Sequence, residues 1–179
     1  IRLIINESLF LNIKNSDPAL KALSAGQKIT IKNGLTSNNI NTLYEDSEHN
    51  IWIGTEEGIS IVKFDDKKKR FRRVRNINRE DGLIDEFVRC IYEDKSGNIW
   101  IGTENGGVFI LLKNKIIKGK HEPRFYRGKF ENINTDSGLI NNKVYSILED
   151  GKGSIWLATA GGVSRLQIVD SRTKIENYT

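Results

Sequence analysis

The sequence predicts an all-β fold, because one pattern of short strands and turns recurs three times along the 179 residues. Each copy carries a tryptophan at the same point, Trp52, Trp100 and Trp156, and spacings of 48 and 56 residues suit one four-stranded unit per copy. Sixteen glycines against two prolines favour many tight turns. These observations predict a partial β-propeller of three four-stranded antiparallel blades, a section of a larger propeller.

The three copies align without gaps over Gly34–Gly58, Gly82–Gly106 and Gly138–Gly162. We therefore place the blades at residues 34–81, 82–137 and 138–179. The eight residues that lengthen the second unit fall in a basic stretch after Leu112, where a hairpin can grow without disturbing its scaffold. Residues 1–33 fit the repeat poorly and are either flanking strands or part of a preceding blade, with one possible helical turn over Pro18–Ala25.

Each unit begins with two strands joined by a polar turn. The turn contains Gly97 or Gly153 where a hairpin bulge requires a positive φ, and His49 takes that position in the first unit. His49 therefore has a structural explanation and is a poor catalytic candidate. The predicted first strands begin at Ile40, Val88 and Val144, and the predicted second strands are Ile51–Thr55, Ile99–Thr103 and Ile155–Thr159.

Two further strands complete each unit after a loop that contains glycine. The predicted third strands are Ile59–Phe64, Val108–Leu112 and Val163–Ile168, and the predicted fourth strands are Phe71–Ile77, Phe125–Ile133 and Lys174–Tyr178. Three such blades alone would leave two large apolar faces in water. We therefore expect further blades, from the same chain or from another copy, to cover them.

The chain is basic, with a net charge of +5, and its cations are concentrated in Lys67–Arg75 and Lys113–Lys129. The first run either protects the edge of a sheet, which we favour, or forms a patch for polyanions. It lacks interleaved stacking aromatics, so nucleic acid is an unlikely partner. The single cysteine, Cys90, is expected to be a small core residue, and no cofactor or metal site is predicted.

The repeated residues resemble the two-component regulator propeller repeat. The matching residues in each copy are a Gly-Leu pair, an aspartate and a Trp-Ile-Gly-Thr run, the last of which becomes Trp156-Leu157-Ala158-Thr159 in the third copy. The resemblance covers about residues 30 to 179. It implies the extracytoplasmic sensor region of a membrane-bound histidine kinase, homodimeric in the full-length protein, that responds to glycan breakdown products from the periplasm.

Residues that are identical in every copy are more readily explained by packing than by binding. The tryptophans, the turn aspartates Asp46, Asp94 and Asp150, and the threonines that end the second strands are therefore interpreted as structural. No catalytic constellation is apparent, since the two histidines lie in unrelated places and each Glu-Asp pair is adjacent along a strand. An enzyme is not predicted, and any kinase activity would lie outside this chain.

Ligand binding is instead predicted where the copies differ. Amide, guanidinium, phenol and carboxylate groups fall at equivalent positions, and together they suit a neutral or an acidic oligosaccharide. The alternative interpretation is that they are ordinary solvated loop ends. The competing functions are a lyase-type propeller enzyme and a protein-interaction scaffold without a small ligand. The predicted ligand-binding residues are Asn41, Arg89, Tyr145, Glu57 and Asn105.

Overall fold

The computed structural model describes residues 30–65, 67, 70–113, 130–169 and 172–179. These residues form three four-stranded antiparallel sheets, which confirms the predicted blades. Short 3-10 helices, Ile31–Asn33, Arg79–Asp81 and Thr135–Ser137, precede the sheets. The strands are β1 Ile40–Glu45, β2 Asn50–Thr55, β3 Gly58–Asp65, β4 Arg70–Ile77, β5 Val88–Glu93, β6 Ile99–Thr103, β7 Val108–Leu111, β8 Glu131–Ile133, β9 Val144–Glu149, β10 Ile155–Thr159, β11 Gly162–Val169 and β12 Arg172–Tyr178.

Strands follow one another across each sheet in chain order, so each blade is a simple meander. The first strands of neighbouring blades contact one another, β1 with β5 and β5 with β9, and they are therefore the innermost strands. The fourth strands pair on one side only, which makes β4 an edge strand and agrees with the predicted position of the basic run. The predicted helical turn over Pro18–Ala25 and most of the second basic stretch lie outside the described residues.

The predicted strand ends lie within two residues of those observed, except at the fourth strand of the second blade. The third strand of the second blade ends at Leu111 and not at Leu112. The fourth strand of that blade begins at Glu131 within the described residues, whereas the sequence predicted Phe125, and residues 125–129 are not described.

Apolar side chains fill the two spaces between the blades. Trp52 of the first blade packs into a cluster with Leu83, Val88 and other residues of the second blade, and Trp100 packs likewise against the third. Both tryptophans are fully buried. Trp156 faces no further blade among the described residues, is half-buried, and stacks on Tyr178 with ring centroids 5.7 Å apart.

The glycine of the Trp-Ile-Gly-Thr run is required because neighbouring first strands pass close to it. A β-carbon at Gly102 would lie 2.5 Å from the Cys90 sulfur and 2.8 Å from Cγ1 of Val144 in the next blade. At Gly54 the corresponding distance to Val88 is 2.7 Å. The third copy tolerates Ala158 because this residue is exposed at the outer face of the last described blade.

The turn aspartates hold the tryptophans in place, which agrees with their structural interpretation. Asp94 accepts a hydrogen bond from the Trp100 indole at 2.8 Å and one from the Asn98 backbone N–H at 2.9 Å. Asp46 and Asp150 bind Trp52 and Trp156 in the same way, at 2.8 and 2.9 Å. The predicted positive φ of His49 is also confirmed, at 61°.

Candidate functional site

A β-bulge occurs at the same point in all three innermost strands. The pairing register shifts between Ile40 and Thr42, between Val88 and Cys90, and opposite Ala158 and Thr159 in the third blade. Asn41, Arg89 and Tyr145 are the extra residues at these three points. A bulge leaves one residue outside the ladder and redirects its side chain, so the same backbone presents three different side chains.

These bulges lie at one end of the blades, beside the turns between the second and third strands. Backbone hydrogen bonds join each turn to the loop that leads into the first strand: Glu56 N–H donates to Asn39 O, Glu104 N–H to Phe87 O and Ala160 N–H to Lys143 O, at 3.0–3.3 Å. The two kinds of loop therefore share one face. Variable side chains from neighbouring blades meet on that face.

Arg89 and Tyr145 are brought together across the boundary between the second and third blades. The Arg89 guanidinium carbon lies 5.3 Å from the centre of the Tyr145 ring and 5.5 Å from that of Phe87. A cation this close to an aromatic face is stabilised by the ring quadrupole. Tyr145 nevertheless remains 48% exposed, so much of its ring is open to a ligand.

Glu104 pairs with a cation from each of the two blades. Its carboxylate accepts hydrogen bonds from Arg89 Nε and from Lys143 Nζ. Burial alone would raise the pKa of Glu104, but these two hydrogen bonds and the nearby positive charges lower it below its ordinary value. Phe87, Arg89, Glu104, Lys143 and Tyr145 form one cluster, which we call the seam site.

The other three predicted residues lie outside this cluster. Asn41 donates from Nδ2 to the Val88 carbonyl at 3.0 Å and so joins the first blade to the second. Glu57 and Asn105 are exposed in turns, where their backbone N–H groups donate to Thr55 and Asp85. Within the described part of the chain, no hydrogen bond or ring contact joins either side chain to Arg89 or Tyr145.

Sequence reasoning missed Phe87 and Lys143 as site residues and left Glu104 out of the predicted set. The signal was present, because Phe87 and Lys143 each precede a predicted residue by two positions. Both residues also vary between the copies, since Asn39 occupies the equivalent position in the first unit.

Comparison with known proteins identifies the repeat. The two-component regulator propeller family matches residues 34–57, 82–105 and 138–161, at the three copies found in the sequence. No curated protein matches.

The fold also matches solved structures. The extracellular domain of the putative hybrid two component system BT3049 from B. thetaiotaomicron superposes with a TM-score of 0.64 at 26% identity, over 86% of this chain. The extracellular domain of the putative one component system BT4673 from the same organism gives 0.56 at 23% identity, over 78% of this chain. The matched region spans only 18% of the length of either domain.

Proposed function

Because this chain carries three two-component regulator propeller repeats, we propose that it is the ligand-sensing section of an extracytoplasmic receptor in a two-component system. The similar structure of BT3049 is the extracellular domain of such a system, which supports both the role and the location. Among the described residues, no helix is long and apolar enough to cross a membrane.

The observation that carries the proposal is the contrast between an identical scaffold and a variable end. The tryptophans, turn aspartates and threonines recur with the same hydrogen bonds in every blade, and each threonine hydroxyl closes its turn by donating to a glycine carbonyl at 2.9–3.0 Å. The bulge positions instead hold an amide, a guanidinium and a phenol. A repeat protein binds ligands through such variable positions, because the scaffold is already satisfied elsewhere.

The chemistry of the seam site favours a carbohydrate. Tyr145 offers an exposed ring that can stack on the apolar face of a sugar, and its hydroxyl, with Lys143 and Arg89, supplies hydrogen-bond donors to hydroxyl groups. We therefore propose an oligosaccharide released by polysaccharide breakdown as the signal. The remaining blades of the propeller and a second copy of the full-length receptor are the proposed protein partners.

Titration calorimetry with a panel of neutral and acidic oligosaccharides tests this function. Tyr145→Ala is expected to weaken binding about fivefold or more, because one stacked ring contributes on the order of 1 kcal/mol or more. Tyr178→Ala is the matched control, because Tyr178 is 46% exposed but lies on the outermost strand β12. Equal affinities in the two variants would place the binding site elsewhere, and a folded chain that binds no sugar would refute the sensing role.

A further inference from the structure

The positive charge of the seam site exceeds what its own carboxylate neutralises. Two cations, Arg89 and Lys143, share Glu104, and their side chains remain 31% and 34% exposed. Another carboxylate that contacts the cluster, Asp85, accepts hydrogen bonds from the backbone N–H groups of Phe87, Asn105 and Gly106. Two cations and one carboxylate give the five residues of the seam site a net charge of +1, and no hydrogen bond joins Asp85 to either cation among the described residues.

The guanidinium group of Arg89 is held in a way that leaves its two terminal nitrogens, Nη1 and Nη2, available to a ligand. Arg89 binds Glu104 through Nε alone, and among the described residues no hydrogen bond engages Nη1 or Nη2. The rings of Phe87 and Tyr145 fix the position of the group. Two parallel N–H donors on a fixed guanidinium match the two oxygens of a carboxylate or sulfate, and prior fixing lowers the entropic cost of binding.

The equivalent boundary between the first and second blades shows that the scaffold does not need these cations. Asn39 occupies the position of Phe87 and donates to Glu56, the counterpart of Glu104, at 2.8 Å, and Phe87 occupies the position that Lys143 has at the seam site. Asn41 occupies the position of Arg89 and bonds to a backbone carbonyl. No ion pair joins Glu56 to a cation among the described residues, so the scaffold at this point of a blade does not require the cations of the seam site.

We propose that the seam site selects oligosaccharides that carry an anionic group, a uronate carboxylate or a sulfate ester, which pairs with the Nη edge of Arg89 beside Lys143. This inference rests on the proposed sensing function and names its ligand class. Glu104 acts as a positioning residue that orients the guanidinium. Tyr145 supplies the surface on which the sugar ring stacks.

The test is titration calorimetry with matched pairs of oligosaccharides that differ only in charge. One pair is a uronic acid oligomer and its methyl ester, and the other is a sulfated oligomer and its desulfated form. We expect the acidic member of at least one pair to bind about tenfold to a hundredfold more tightly, because a charge-assisted pair is lost with the charge. Its affinity should also fall as salt concentration rises. The pair that responds distinguishes carboxylate from sulfate.

Variants separate this interaction from a general effect of net charge. Arg89→Gln and Lys143→Gln should each abolish most of the preference for the acidic member, while Lys152→Gln, in the exposed turn at the opposite end of the blade, should retain it. Circular dichroism checks that each variant is folded. If Arg89→Gln does not fold, Lys143→Gln decides, because the Lys143 side chain is one-third exposed and its ammonium group pairs with Glu104 alone among the described residues.

The outcomes also separate this inference from the proposed function. If neutral and acidic members bind equally, or if Lys152→Gln weakens binding as much as Lys143→Gln does, the anionic selectivity is wrong and the sensing function stands. If a folded chain binds no member of any pair, both are refuted.

Discussion

Replacing Asp94 with alanine tests how the aspartate–tryptophan contact stabilises each blade. The substitution removes acceptors for the Trp100 indole, the Asn98 backbone N–H and the Asn98 side-chain amide, at 2.8, 2.9 and 2.8 Å. Trp100 is fully buried, so water cannot replace the lost acceptor. An unsatisfied buried donor costs about 1–3 kcal/mol, and with the partly exposed Asn98 contacts we expect a total loss of about 2–4 kcal/mol.

The repeat itself provides a matched control. Asp150 makes the same bond to Trp156 at 2.9 Å, but Trp156 is only half-buried, so water can reach the indole in the described structure. Asp150→Ala should therefore destabilise the chain less than Asp94→Ala. Asp94→Asn should recover part of the loss, because an amide oxygen can still accept the indole N–H.

The assay is urea unfolding followed by circular dichroism and tryptophan fluorescence. With a slope of about 2 kcal/mol per M, the Asp94→Ala loss corresponds to a midpoint lower by about 1–2 M. If Asp150→Ala lowers the midpoint as much as Asp94→Ala does, burial of the indole does not set the cost and the reasoning fails. If circular dichroism and fluorescence give the same midpoint, the two probes follow a single unfolding transition.

Three further predictions concern other parts of the scaffold. Gly102→Ala should destabilise the chain by about 1–3 kcal/mol in urea unfolding, because the new methyl group would lie 2.5 Å from the Cys90 sulfur. Ala158→Gly should change stability by less than about 1 kcal/mol. Equal effects of the two substitutions would contradict the close approach of Cys90 to Gly102. Burial raises the pKa of the Cys90 thiol to about 12, so the folded chain should react with iodoacetamide at pH 8 far more slowly than the urea-unfolded chain, and similar rates would refute this. The hydrogen bond from Trp156, with backbone hydrogen bonds, lowers the pKa of Asp150 to about 2. The contribution of the ionised Asp150 to stability is therefore present above about pH 4 and is lost as pH falls towards 2. Asp150→Asn should make stability less dependent on pH in this acidic range, and an unchanged dependence would count against the reasoning.

Predictions for the repeated strands and turns were confirmed because all three copies have apolar and turn residues at the same positions. Strand β6 runs Ile99–Thr103 as predicted, since an apolar strand between two fixed turns has no room to shift. His49 adopts the positive φ that its alignment with Gly97 and Gly153 required. The tryptophan interpretation was correct for Trp52 and Trp100 but less so for Trp156, whose burial depends on a neighbour that the repeat pattern does not describe.

The candidate site could be predicted only in part. Arg89 and Tyr145 were identified because they occupy equivalent positions that differ, and the structure places them in contact. Glu57 and Asn105 satisfied the same criterion but lie in turns apart from that contact. Comparing equivalent positions finds residues that vary at one end of the blades. It contains no information on which of these residues share a boundary between blades.

The sequence by itself determined the three blades of this chain and their strands, because periodic hydrophobic and turn residues impose the same local structure on each copy. Only the tertiary structure decided which variable residues act together. The bulges, the pairing of Glu104 with cations from two blades and the burial of each tryptophan arise between units. They depend on how closely neighbouring innermost strands approach, and that distance is set by side chains on both sides of the boundary.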